Sequence, residues 1–310
     1  MNGIIIIDKP TGKTSHDVVM DIKRTLGLKK AGHTGTLDPL ATGVLPVCIN
    51  EGTKLAQFFS SDKKEYRATM LLGVKTDTYD VEGTIIAEER PSVCREDIEK
   101  ALSLMAGKRE QIPPPYSAVK YRGKPLYKWT RKGIDVPVLP RSIEIYKLML
   151  EEINLPHATF RVSCSKGTYV RSICMEIGEM LGCGACLSGL RRIKSGNYSE
   201  EEALSFAEKG EKEKKESLTA HIIPMADALP DFPAIQVEKP LAEKLRQGYQ
   251  PIVDSLLNYH IPFLAAGDML RFIEGRRLVA IAKMLHPSNQ MTALDGQEQA
   301  IRILRVFNSE

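Results

Sequence analysis

The chain has 310 residues, 43% of them hydrophobic and 26% charged, with a net charge of +4. That length allows two domains, and the composition excludes collagen-like, disordered and disulfide-stapled chains. No run approaches the ~18 consecutive apolar residues of a membrane span, and six unevenly spaced cysteines point to a reducing, cytoplasmic setting.

The opening GIIIID, residues 3–8, predicts a short buried strand closed by the turn Lys9-Pro10-Thr11-Gly12. It is too short and too charged for a secretory leader. Ser15 is placed to cap a helix reaching about Leu26, with Val18, Val19, Ile22 and Leu26 on one face. A glycine-punctuated stretch runs from Ala31 to Gly43. Residues 66–73 and 85–88 predict strands, and 95–106 a helix with Ile98, Leu102 and Met105 inward. Five prolines within 114–141 exclude a long regular helix, so an insertion of loops and short strands is expected over about 112–141. Residues 144–153 and 159–163 alternate like an antiparallel pair, followed by a helix over 169–181 and a strand over 190–198. The mixed-charge run 208–216 predicts a solvated helix end or a surface loop. Beyond Pro230 the texture changes to short strands at 234–237, 269–273, 278–284 and 300–307, separated by glycine turns. Residues 231–310 hold nine basic and nine acidic side chains, which predicts a neutral, mostly β domain behind a larger one over 1–230.

Charge is concentrated in the insertion. Pro114 to Arg141 contains seven basic residues (Lys120, Arg122, Lys124, Lys128, Arg131, Lys132, Arg141) and one acidic, Asp135, which leaves the rest of the chain slightly acidic. The same stretch holds Trp129, Tyr116, Tyr121 and Tyr127. Such a segment can neutralise phosphates and stack on bases, or it can be a solvated basic hairpin.

Two local motifs carry less than they suggest. Gly12-Lys13-Thr14 resembles the end of a phosphate-binding loop, but Ile7 stands where that template needs its first glycine. ATP binding is therefore not expected. Cys183-Gly184-Ala185-Cys186 has no second pair at zinc-finger spacing, and no helix carries HExxH, so a turn with two buried thiols is expected and no metal. The most informative stretch is GHTGTLDPLATGVL, residues 32–45. Its glycines permit a tight backbone path towards Asp38. Asp-Pro is also an ordinary helix start, with aspartate as cap and proline in the first turn.

The segments GIIIIDKPTGKTS, GHTGTLDPLATGVLPVCINEGTK, Lys64-Glu65-Tyr66, IPPPYSAVKYRGKPLY and CSKGTYVRSICMEIGEMLGCGACLSGLRRIKSG follow one another over about residues 1–200. In that order they resemble the bacterial tRNA pseudouridine synthases of the TruB type. LRQGYQ and GDMLRFIEGRRLVAIAKML resemble, more loosely, the small β-rich PUA domain of RNA-modifying enzymes. The resemblance implies an α+β catalytic domain with a mixed, largely antiparallel sheet, followed by a PUA-like RNA-binding domain. It implies isomerisation of uridine 55 in the T-loop of tRNA, with no cofactor, no obligate protein partner and a monomeric enzyme.

The resemblance also implies roles. Asp38 is the essential carboxylate, which attacks C1′ or removes a proton from C2′. Tyr66 packs on the target base, and its hydroxyl could help remove the C5 proton. Arg171 pairs with Asp38 and holds it ionised against desolvation. Tyr169 and Leu190 line the uracil site, and His33 fills the gap left by the everted nucleotide. Tyr116, Lys120 and Lys128 clamp the stem-loop, Lys64 supports the backbone near Tyr66, and Asp80 has a supporting polar role. Read without the family, His33 is a turn residue, Tyr66 and Leu190 are core, and Arg171 faces solvent on a first helical turn. Three rivals follow: a non-catalytic RNA-binding protein, a guide-RNA-dependent synthase, and a nucleotide-dependent enzyme that Ile7 disfavours.

Overall fold

A computed structural model describes residues 1–59, 63–205 and 210–308. The chain builds a nine-stranded sheet and a four-stranded sheet. The main path of the large sheet runs Gly3–Lys9, Thr42–Ile49, Ala185–Ser195, Lys64–Leu72, His157–Cys164, Arg141–Asn154, Gly107–Gln111. Every pairing in it is antiparallel except that of Thr42–Ile49 with Ala185–Ser195, so the sheet is mixed and largely antiparallel as expected.

The four isoleucines of Gly3–Lys9 are buried because both faces of that strand are covered. Ile5 and Ile7 face the helix Ser15–Leu26, whose Val18, Val19, Ile22 and Leu26 join the same core. Thr14 caps this helix, not Ser15: its hydroxyl accepts from Asp17 N, and the Asp17 carboxylate accepts from Thr14 N. Such a reciprocal cap contributes about 1 kcal/mol. Ser15 is left for another task, described below.

Several elements differ from expectation. The strand Thr42–Ile49 was hidden by Gly43 and Pro46, which weaken any strand pattern. Gly43 is required: its φ is +97°, and a Cβ there would stand 2.2 Å from the Arg192 carbonyl. The strand expected from residue 190 begins at Ala185, directly after the Gly182 and Gly184 turns, and ends at Ser195. The insertion contains a five-residue helix, Leu126–Thr130, besides its short strands. In the mixed-charge run, Glu208 and Lys209 lie outside the described residues. The rest forms the helix Glu211–Ala220, which is not simply solvated, because Lys214 is buried 2.8 Å from Asp21.

The small sheet orders Ala234–Gln236, Met269–Glu274, Arg277–Met284, Ile301–Val306, and packs against an amphipathic helix, Lys239–Arg246, that the strand-like texture concealed. Its other side meets the large sheet. Ile273, Leu278, Ile281 and Phe307 share a core cluster with Ile4, Ile6, Val44 and Cys48.

Candidate active site

Asp38 lies in the loop between the strands Ala31–His33 and Thr42–Ile49. No helix starts there, so the capping reading of Asp38-Pro39 is overturned. One turn forms, Ala41 N to Asp38 O at 3.1 Å, and the chain then enters the next strand. The backbone on both sides of Asp38 is held by buried side chains. Ser15 Oγ accepts from Leu37 N at 2.8 Å and donates to Leu37 O at 3.1 Å. Lys9 Nζ donates to Pro10 O at 2.8 Å, Lys13 O at 2.6 Å and Pro39 O at 3.3 Å, and Gly12 N donates to Pro39 O at 2.9 Å. The segment Lys9–Ser15, which looked like a broken nucleotide loop, is the mould for the Asp38 loop. Lys9 is fully buried, and burial pushes its pKa down to about 8 although the Asp38 charge pulls it up.

The loop forms one wall of a cavity of about 310 Å³, in which Asp38 is the single carboxylate among the described lining residues. Arg171 enters from the first turn of the helix Val170–Met180 and is 4% exposed, so it does not face solvent. Its Nε stands 2.9 Å from Asp38 Oδ2, with the N–H not aimed along that line, a contact of charges rather than a directed hydrogen bond. Nη1 lies 3.5 Å from Asp80 Oδ2 and donates to Thr78 O at 2.9 Å, while Nη2 donates to Tyr116 O at 2.8 Å. The guanidinium is therefore fixed between two carboxylates and tied by a carbonyl to the basic insertion.

The opposite wall comes from two adjacent strands. Tyr66 and Arg192 are direct cross-strand partners, and Leu190, two residues before Arg192, shares their face. Burial raises the Tyr66 phenol above its ordinary pKa, and the Arg192 charge opposes that rise. Arg192 is 1% exposed; its Nε donates to Val44 O at 2.6 Å and its Nη2 to Gly35 O at 3.2 Å, so it ties both ends of the Asp38 loop to this strand. Tyr169 lines the cavity at the N-cap of its helix, and its backbone is held on both sides by Gln111: Tyr169 N to Oε1 at 2.8 Å, Nε2 to Tyr169 O at 3.1 Å.

Of the residues expected in the site, Asp38, Tyr66, Arg171, Tyr169, Leu190 and Lys64 line this one cavity. His33 ends a strand rather than sitting in a turn, beside the cavity, with its Nδ1 buried. Its pKa is lowered by burial and by the charges of Arg192 and His16. Asp80 stands behind Arg171, and Tyr116 touches it through its carbonyl. Lys120 and Lys128 are exposed and away from the cavity. Lys9, Ser15, Gln111 and Arg192 were missed; strand alternation from Leu190 would have found Arg192.

Comparisons with known proteins match this architecture to one family. A model for the TruB family pseudouridylate synthase N-terminal domain matches residues 23–170, and one for the tRNA pseudouridylate synthase B C-terminal domain matches 171–230. The chain is 51% identical over 309 residues to tRNA pseudouridine synthase B of Syntrophus aciditrophicus, covering 99% of both chains. It is 40% identical over 309 residues to the protein of that name from Geobacter sulfurreducens, covering 99% of this chain and 100% of the other. Among solved structures it resembles a Cbf5-Nop10-Gar1 complex, with TM-score 0.72, 29% identity, and 98% of this chain and 84% of that one covered. It also resembles an H/ACA RNP bound to a substrate RNA containing 2′-deoxyuridine, with TM-score 0.74, 29% identity, and 99% and 85% covered.

Proposed function

The chain belongs to the TruB family and isomerises uridine to pseudouridine in tRNA; from that premise we propose that the Asp38 cavity performs the reaction on the T-loop uridine at tRNA position 55. The observation that carries the reading is the Asp38–Arg171 pair, closed in one cavity by Tyr66 and Leu190. The target nucleotide is turned out of the T-loop, at a cost of about a few kcal/mol, and His33 takes part in filling the gap. Tyr66 covers the base and Leu190 is its apolar wall. The N1–C1′ bond breaks as the Asp38 carboxylate takes C1′ or the C2′ proton. The base turns while held, and C5 bonds to C1′. A glycosidase needs a second carboxylate to activate water. A cavity with one carboxylate suits a reaction in which water must stay out.

The exposed cations of the insertion clamp the phosphates of the stem-loop, and residues 231–310 add a PUA-like RNA-binding module behind a catalytic domain over 1–230. Near-complete coverage at 51% identity to a tRNA pseudouridine synthase, against 29% to a structure of Cbf5 in its complex, favours an enzyme that acts alone, as a cytoplasmic monomer. No helix among the described residues is long and apolar enough to cross a membrane. The test is the purified chain with a bare T-stem hairpin carrying C5-tritiated uridine. Tritium release and one mapped pseudouridine are expected. RNA binding without release would refute the reading, and release only after adding other proteins would make the enzyme partner-dependent.

A further inference from the structure

Three arginines stand around the cavity, and their charges are treated differently. Arg171 faces Asp38 and Asp80. Arg191 points to the other side of its strand and pairs with Asp8 and Glu200. Arg192 is the most buried of the three, yet no carboxylate oxygen of the described residues lies within 4.0 Å of its guanidinium. Two carbonyl dipoles, of Val44 and Gly35, occupy Nε and Nη2. Nη1 has no carbonyl or carboxylate partner among the described residues, and the Tyr66 hydroxyl is the other polar group that hydrogen-bonds to this guanidinium. Nη1 lies 3.4 Å from where a Cβ on Gly35 would stand, so the glycine keeps a side chain off it where Arg192 lines the cavity. Burying a cation without a counter-charge is unfavourable, and an anion formed beside it would relieve that cost.

The reaction forms one. When N1–C1′ breaks, the electron pair stays with uracil, which becomes an anion delocalised over N1, O2 and O4. Asp38 meanwhile takes C1′ into an ester or accepts the C2′ proton. The negative charge is discharged when C5 bonds to C1′, Asp38 is released or returns its proton, and the C5 proton is replaced by one on N1. We infer that Arg192 is a catalytic residue, its Nη1 stabilising the detached uracil anion beside Tyr66 while Nε and Nη2 hold the Asp38 loop. The inference rests on the isomerase reading. A preorganised donor aimed at developing charge in a closed cavity is typically worth about 10²- to 10³-fold in rate.

The test separates charge stabilisation from loop anchoring by changing the base. T-stem hairpins carrying uridine or 5-fluorouridine at the target position are given to wild type, Arg192→Met and Arg192→Lys, with loss of the starting nucleoside measured after nuclease digestion, since the fluorinated base has no C5 proton to lose in the last step. Fluorine withdraws electrons and makes the base a better leaving group, so it needs Arg192 less. Arg192→Met should lose roughly 10²- to 10³-fold on uridine and at least about tenfold less on 5-fluorouridine, and Arg192→Lys should recover part of the loss. The ratio of the two rates is read on one preparation, so partial misfolding of a variant cancels. Equal losses on both bases, or wild-type rates in Arg192→Met, would overturn the inference while leaving the isomerase reading intact. Failure of wild type on uridine would instead remove that reading.

Discussion

The Asp38 cavity and the basic insertion use the same residue types in opposite ways. Around Asp38 three cations are buried: Lys9, Arg171 and Arg192 are 0%, 4% and 1% exposed, each locked onto carbonyls. In the insertion, Lys120, Arg122, Lys124, Lys128, Arg131 and Lys132 are exposed and make no ion pair among the described residues. Arg122, Lys124 and Arg131 rest instead over Tyr121, Trp129 and Tyr127. A buried cation fixes geometry and amplifies a field, because little water screens it. An exposed one keeps its hydration until a phosphate replaces it, and contributes affinity that salt removes. On the proposed reading, the difference teaches that turnover and RNA affinity reside in separate groups of one molecule, joined at the Tyr116 carbonyl that Arg171 holds.

That separation can be broken from either side. Arg171→Ala should cost the most, because it leaves Asp38 and Asp80 without their shared cation. Arg171 is buried but Asp38 is 37% exposed, so water screens part of the loss, and a fall in single-turnover rate of roughly 10²-fold is expected. Hairpin affinity measured by filter binding should stay within a few-fold. Ser15→Ala touches no substrate but frees the backbone before Asp38. A roughly tenfold slower rate with unchanged affinity is expected, and an unchanged rate would mean the loop holds itself.

Converting Lys120 and Lys128 to alanine should do the reverse. Affinity should fall several-fold, the slope of log affinity on log salt should drop by about 1.5, and the rate at saturating RNA should persist. An unaltered salt slope would remove the clamp from these lysines.

The smallest effect sharpens the comparison through pH. The pKa of Lys9 is lowered from 10.5 to about 8 in the folded chain, so between those values the unfolded chain binds more protons and folding is increasingly favoured as pH rises. Wild type should therefore gain thermal stability relative to Lys9→Met between pH 8 and 10.5, a trend that differential scanning calorimetry would register. A parallel pH course for both proteins would show Lys9 to be neutral or ordinary in the fold.

The two regions were also unequally legible in the amino-acid sequence. An unbroken apolar run exposed the isoleucine strand, which is buried on both faces, while periodicity and glycine turns exposed the face Val18–Leu26, the antiparallel pair around Phe160 and the four C-terminal strands. The uneven charge of the insertion was plain from composition alone. Asp38, Tyr66, Arg171 and Leu190, by contrast, come from four separate segments, and only tertiary packing joins them; resemblance to a family named them, not any local pattern. The supports were harder still. Lys9 and Ser15 act through backbone carbonyls and amides thirty and twenty-two residues away, and such bonds leave no spacing to read. Gly43 and Pro46 masked a central strand, and the helix Lys239–Arg246 was lost among short strands.

The most direct measurement compares wild type with Asp38→Asn on the same hairpin, following tritium release and equilibrium binding together. Loss of all detectable release with affinity kept within a few-fold is the predicted result, since asparagine preserves the loop but removes the carboxylate. Release at a rate comparable to wild type would contradict the account, because no other carboxylate of the described residues lines the cavity to replace it.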